Sequence, residues 1–154
     1  MKDSMIPKNY ANTLIYEIQK AFWDERGKGA RFRTTKVGNV FFLENCLPLI
    51  QTDDIDQIIQ IISQVLKEKG IVGSVNYELE DRLIRVGIQG CIHLDVEERM
   101  ITKGIEPFTC IPANLIVLAI EEKLNRPVEL AEIKVENGIC QLMLVMFDKR
   151  PSLD

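Results

Sequence analysis

The dipeptide Asn137-Gly138 separates two runs that alternate apolar and polar residues, Val128 to Glu136 and Ile139 to Phe147. A two-residue loop between strands closes as a tight turn that requires positive φ at both central positions, and Asn-Gly adopts it at little cost. The chain therefore has to carry an antiparallel hairpin near its C-terminal end. Counting outward from the turn sets Val135 against Cys140, Ile133 against Leu142 and Ala131 against Leu144 on one apolar face, with Glu132 opposite Met143 on the other. Cys140 then belongs to the core face, while Glu132 shares a solvated face with Lys134 and Glu136.

A second strand pair precedes it. Val72 to Glu80 and Asp81 to His93 alternate around a turn at Glu80-Asp81, and Ile84, Val86 and Ile88 mark the inward face. Helical spacing appears elsewhere. From Asn9 to about Arg26, Leu14, Ile15, Ile18, Phe22 and Trp23 predict one core-facing stripe, ended by Gly27 and Gly29. Thr52-Asp53-Asp54 resembles a capped, acidic helix start, and Ile55, Ile58, Ile59, Ile62, Val65 and Leu66 continue it to Lys69-Gly70. A further helix is expected from about Pro112 to Asn125, with Thr109 as its cap, proline in the first turn and Pro127 as its stop. Asp95 to Phe108 reads as a loop, and residues 31–50 fit either a strand or a short buried helix.

Two helical segments, a strand pair, a helix and a second strand pair make no strand-helix-strand alternation. The expectation is an α+β fold, with an antiparallel sheet of at least four strands packed with helices in a single domain over 1–154, and 146–154 as a frayed tail. A chain of 154 residues, 46% hydrophobic, is long enough for one such core. The net charge of -4, without a basic run, argues against nucleic acid. No stretch reads as a secretory signal or a membrane span, so a cytoplasmic location is expected.

Four cysteines, Cys46, Cys91, Cys110 and Cys140, stand far apart with no CxxC pair, which in a reducing compartment predicts free thiols. If Cys91 and His93 lie on a strand, they face the same way and could converge on a metal or a substrate. Cys110 precedes a helix, where amide hydrogens and the helix dipole favour a thiolate; it is equally placed to pack as a small apolar residue. Glycine-rich phosphate loops, HExxH and GxSxG are all absent.

The region from Asp81 to Phe147 resembles the 4-vinyl reductase domain family, which includes predicted hydrocarbon-binding proteins and sensor domains of phenol-responsive bacterial regulators. Carrying the resemblance are the strand ending in Cys91, the long loop, Cys110 ahead of a helix, "LNRPVELAEIKVENGIC" and a final apolar strand. Cys110, Arg126, Val128, Glu132 and Cys140 lie on positions of the family pattern. Val135 stands where a cysteine is expected, and the tight Asn137-Gly138 hairpin replaces a longer connection. The resemblance implies a small α+β module that encloses an apolar ligand, with Phe22, Trp23, Phe41 and Cys110 as candidate ligand contacts and Phe32 and Phe42 as further walls. It also makes zinc a candidate cofactor, with Cys91, His93, Cys110 and Cys140 as candidate ligands.

The leading expectation is a noncatalytic module for an apolar small molecule, with regulation as its use and a homodimer as its assembly. No residue is catalytic in that reading. An alternative is a zinc- or thiol-dependent enzyme in which Cys110 is ligand or nucleophile, His93 ligand or base, and Glu132 orients the imidazole. Another is a structural homodimer subunit that protects its sheet edges.

Overall fold

The computed structural model describes residues 5–32 and 34–148, the Phe32 side chain excepted. Five α-helices, α1 (Lys8–Arg26), α2 (Asn39–Asn45), α3 (Ile55–Glu68), α4 (Leu94–Thr102) and α5 (Ile111–Leu124), accompany four strands, β1 (Ser74–Glu80), β2 (Leu83–Gln89), β3 (Val128–Glu136) and β4 (Ile139–Met146). The strands form one antiparallel sheet in the order β1-β2-β4-β3. This is the expected α+β class. Two 3-10 turns, Gly27–Phe32 and Leu47–Leu49, complete the order.

Helix α5 is the centre of the packing. Every residue from Pro112 to Ile120 is buried, so this stretch has no solvent face, whereas Glu122 in the last turn is exposed. It packs against α3, α2 and β3. The inward row of the sheet, including Ile84, Val86, Ile88, Cys140, Leu142 and Leu144, belongs to the same buried cluster. One polar residue is enclosed in the helix. Asn114 Nδ2 donates to the carbonyls of Thr34 and Val37, at 3.1 Å each, and so ties the segment before α2 to the core.

The local signals act as chemistry requires. Asp54 caps α3, accepting from the Gln57 amide at 3.1 Å. Asn125, at φ 52°, closes α5 in the left-handed conformation that asparagine tolerates. Asn137 at φ 52° and Gly138 at φ 76° form the expected hairpin turn.

Four expectations need correction. First, β2 stops at Gln89: Gly90 takes φ +68°, and a Cβ there would meet the Gly73 amide nitrogen at 3.0 Å. Cys91 and His93 are therefore off the strand, and His93 is the N-cap of α4. Second, the expected loop from Asp95 contains α4, held by Val96 and Met100 one turn apart on the buried side and by an Asp95–Arg99 ion pair at 2.8 Å on the other. Third, a bulge lies between Leu130 and Glu132. Val135–Cys140, Ile133–Leu142 and Glu132–Met143 pair as counted, but Leu144 faces Leu130 in place of Ala131. Fourth, Cys110, not Thr109, occupies the α5 N-cap position; the Thr109 hydroxyl accepts from Asn114 Nδ2 at 3.3 Å.

The stripe on α1 also divides. Ile15, Phe22 and Trp23 are half-buried toward the rest of the chain, whereas Leu14 and Ile18 face solvent. Helix α1 packs on α4 and on the 3-10 turn that follows it. Here Ala30, Met100, Ile105 and Phe108 build a second, smaller cluster with Tyr16, Phe22 and Trp23 around it. At the other terminus Met146 ends β4, and the Phe147 carbonyl accepts from Arg126 Nε at 2.6 Å. Residues 149–154 of the expected tail lie outside the described residues.

Candidate functional site

The seam between the two clusters leaves a cleft of about 790 Å³. One wall is the inward side and free edge of β3, with Leu130, Ile133 and Val135. The other is the α1–α4 arm, with Trp23, Ile105 and Phe108. Trp23 and Phe108 stack at 5.8 Å between ring centroids, 25° from parallel, so the arm presents a fixed aromatic surface. Arg31 ties the walls together: its Nη2 donates to the Leu130 carbonyl at 3.0 Å and lies 3.5 Å from Glu129 Oε1. The bulge at Ala131 follows directly. Lys28, Arg31, Glu106, Glu132, Lys134 and Glu136 also line the cleft, balancing three cations against three carboxylates around its apolar walls.

Of the candidate ligand contacts, Trp23 lines this cleft. Phe22 is half-buried beside the small cluster. Phe41 packs on the main core together with buried Phe42, and Cys110, 2% exposed, sits inside that core. The cleft thus begins just upstream of Cys110, at Pro107 and Phe108, and the thiol is not among its lining groups.

The thiols gather below the sheet. Cys91, Cys110 and Cys140 are buried close to Glu97, whose charge adds to the effect of burial in raising all three. Burial comes first as the cause, and takes Cys91 to about 11, Cys140 to about 12 and Cys110 well above 9. Cys46, isolated in the core, also rises to about 11 by burial. These sulfurs are protonated at neutral pH, so the helix start beneath Cys110 does not produce a thiolate. Desolvation outweighs the helix dipole there.

His93 turns the other way. Its Nδ1 lies 3.2 Å from Asn12 Oδ1, and Asn12 Nδ2 donates to the Ile92 carbonyl at 2.6 Å. Burial lowers the His93 pKa, favouring neutral imidazole. The His93 amide, not its ring, meets Cys91 Sγ, at 3.4 Å. Among the described residues no three or more His, Cys, Asp or Glu side chains are placed to hold a metal ion. The donor set Cys91, His93, Cys110 and Cys140 does not fit zinc in this arrangement. Glu132 lines the cleft and pairs with Lys134 at 3.2 Å, while the His93 ring is engaged with Asn12.

The residue that sequence reasoning passed over is Glu97. It is 4% exposed, its Oε2 has no hydrogen-bond partner among the described residues, and burial pushes its pKa to about 7. A carboxylate in the first turn of a short charged helix looks solvent-facing on paper, and only the packing of α4 encloses it.

No protein-family model matches the chain, and no curated protein matches it in sequence. Among solved structures, one described as "Probing the function of heme distortion in the H-NOX family" is similar over 98% of this chain and 77% of its own, with 13% identity and a TM-score of 0.49. No helix among the described residues is long and apolar enough to cross a membrane.

Proposed function

We propose that this protein is a noncatalytic binding module whose cleft takes a small molecule with an apolar body. The observation that carries the reading is the cleft itself: a space of about 790 Å³ between the Trp23–Phe108 stack and the apolar row of β3. Its volume falls in the range of drug-sized ligand sites, about 300–1,000 Å³. An aromatic or hydrocarbon body fits against the stacked rings and Ile105 on one side and Leu130 and Ile133 on the other. The mixed charges around these walls favour a ligand that keeps a polar end toward water. The raised thiol pKa values speak against nucleophilic chemistry, because each sulfur is held as the unreactive thiol.

Trp23 is the only tryptophan in the chain, so its emission reports on the cleft alone. Titration with an alkylphenol and with a medium-chain alcohol is expected to shift and quench that emission saturably in the wild-type protein. Leu130→Glu, which puts a charge on the opposite wall, is expected to abolish the response while leaving the circular dichroism unchanged. Native mass spectrometry of freshly purified protein supplies the second reading. No saturable response to either probe, together with no retained small molecule, overturns the proposal.

A further inference from the structure

Every residue of β3 from Leu130 to Glu136 lines the cleft. Side chains along a strand alternate between its faces, so a space that touches all of them lies against the strand's edge. Backbone groups therefore meet it as well. The two-residue turn makes Glu136 and Ile139 a hydrogen-bonded pair, and the alternation that follows gives β4 the backbone groups of Lys134 and Glu132. The N–H and C=O of Ile133 and Val135 point the other way, into the cleft, and among the described residues nothing bonds to them.

Given the cleft as the ligand site, on which this rests, we propose that its ligand is a short free peptide that adds an extended strand to the edge of β3, with apolar side chains at alternate positions and basic ones between. The dimensions fit one strand. Six residue steps at about 3.3 Å make this edge roughly 20 Å long, and about 790 Å³ spread over that length gives a cross-section of roughly 40 Å². A strand in a packed sheet fills about 4.8 by 10 Å, which is roughly 48 Å². A second copy pairing here by its own sheet edge would bring the rest of its sheet, and the arm that carries Trp23 and Phe108 stands in the way.

The side chains select the sequence. Ile133 and Val135 turn inward, so the residues of an added strand beside them face the Trp23–Phe108 stack and Ile105. Apolar side chains match that surface. On the outer face Glu132 is paired with Lys134 at 3.2 Å, while Glu136, and Glu106 on the opposite rim, have no ion-pair partner among the described residues. Two free carboxylates thus stand against one free cation, Lys28, which favours lysine or arginine at the positions between. Arg31 bridges the walls at Leu130, so a chain lying along the edge has to end there. A free peptide has such an end, and an internal segment of a protein does not.

The probe is the end-blocked peptide acetyl-Leu-Lys-Leu-Lys-Leu-amide, titrated into the full chain and read by Trp23 emission. It is expected to bind saturably and to displace an alkylphenol. N-methylation at the leucines and N-methylation at the lysines block opposite edges of the peptide, so one form should bind about 30-fold more weakly and the other nearly unchanged. Replacing both lysines with glutamate should weaken binding about tenfold, and so should enclosing the sequence between Gly-Ser flanks. Val135→Pro removes one outward amide and spares the β3–β4 ladder, so it should lose the peptide yet keep its circular dichroism and its alkylphenol response. No saturable peptide response, equal loss from both methylated forms, or undiminished binding of the glutamate form overturns the inference, and a saturable alkylphenol response alongside any of these leaves the broader reading of the cleft standing. Undiminished binding of the flanked form overturns it in favour of an internal protein segment.

Discussion

The two hydrophobic clusters of this protein are built from similar residue types and do different things. The cluster around α5 is closed: helix α3, helix α2 and the sheet cover it, and residues such as Ile59, Leu115 and Ile116 are fully or almost fully buried. The cluster under α1 is small, with Ala30, Met100, Ile105 and Phe108 at its centre, and it opens onto the cleft. The closed cluster supplies most of the apolar burial that folds the chain. The open one leaves aromatic surface where a ligand can reach it. Deep burial and an open aromatic surface thus fall to separate parts of one domain.

The largest test of that division is a matched pair of truncations. Ile116→Ala in the closed cluster is expected to cost about 4 kcal/mol in urea unfolding, since the void has no outlet. Ile105→Ala, beside the cleft, should cost roughly 2 kcal/mol, because its surroundings can relax and admit water. Equal costs would break the comparison.

Glu97 probes the boundary. Its proton is bound more tightly in the folded protein, at about 7 against an ordinary 4.5, because burial penalises the charge. The stability linked to that proton is therefore full below about pH 4.5 and is lost as pH rises through 7. At about 1.4 kcal/mol for each step of one between those values, the full loss is roughly 3.5 kcal/mol. Glu97→Gln should flatten this dependence, so that the variant gains on the wild type from pH 5 to 8. A parallel pair of stability curves would show that the carboxyl is solvated.

Smaller effects sharpen the picture. Asn114→Ala leaves the Thr34 and Val37 carbonyls without their donor and should cost about 2 kcal/mol, read from the denaturation midpoint. Asp54→Ala removes a helix cap on the outside of the closed cluster and should cost about 1 kcal/mol by the same measurement.

The closed cluster is the part most readable from sequence. The isoleucine spacing of α3, the proline and asparagine that bound α5, and the Asn137-Gly138 turn are local signals that tertiary packing reinforces. Helix α4 escapes such reading because it is nine residues long and as charged as it is apolar, so its Val96–Met100 step is too brief to show a period. The bulge at Ala131 has no local marker, and it shifts every pairing beyond it by one. The cleft is less legible still. Its walls meet through Arg31 and Leu130, 99 residues apart, and no spacing rule joins them. On α1 the apolar residues are visible, but their division between an inner and an outer side is not: Leu14 is next to Ile15 and Ile18 is one turn before Phe22, yet Leu14 and Ile18 are exposed while Ile15 and Phe22 are half-buried.

Gly73 and Gly90 meet back to back at the base of the β1–β2 hairpin, with a Cβ on Gly90 reaching 3.0 Å from the Gly73 nitrogen. From there the Ile92 amide donates to the Ile71 carbonyl at 3.0 Å, and the Ile92 carbonyl in turn holds Asn12 of α1. Two hydrogen bonds thus separate this glycine contact from helix α1. A methyl group added at Gly90 would press on the Gly73 backbone at a positive φ, so the stretch that leads into α4 would have to give way.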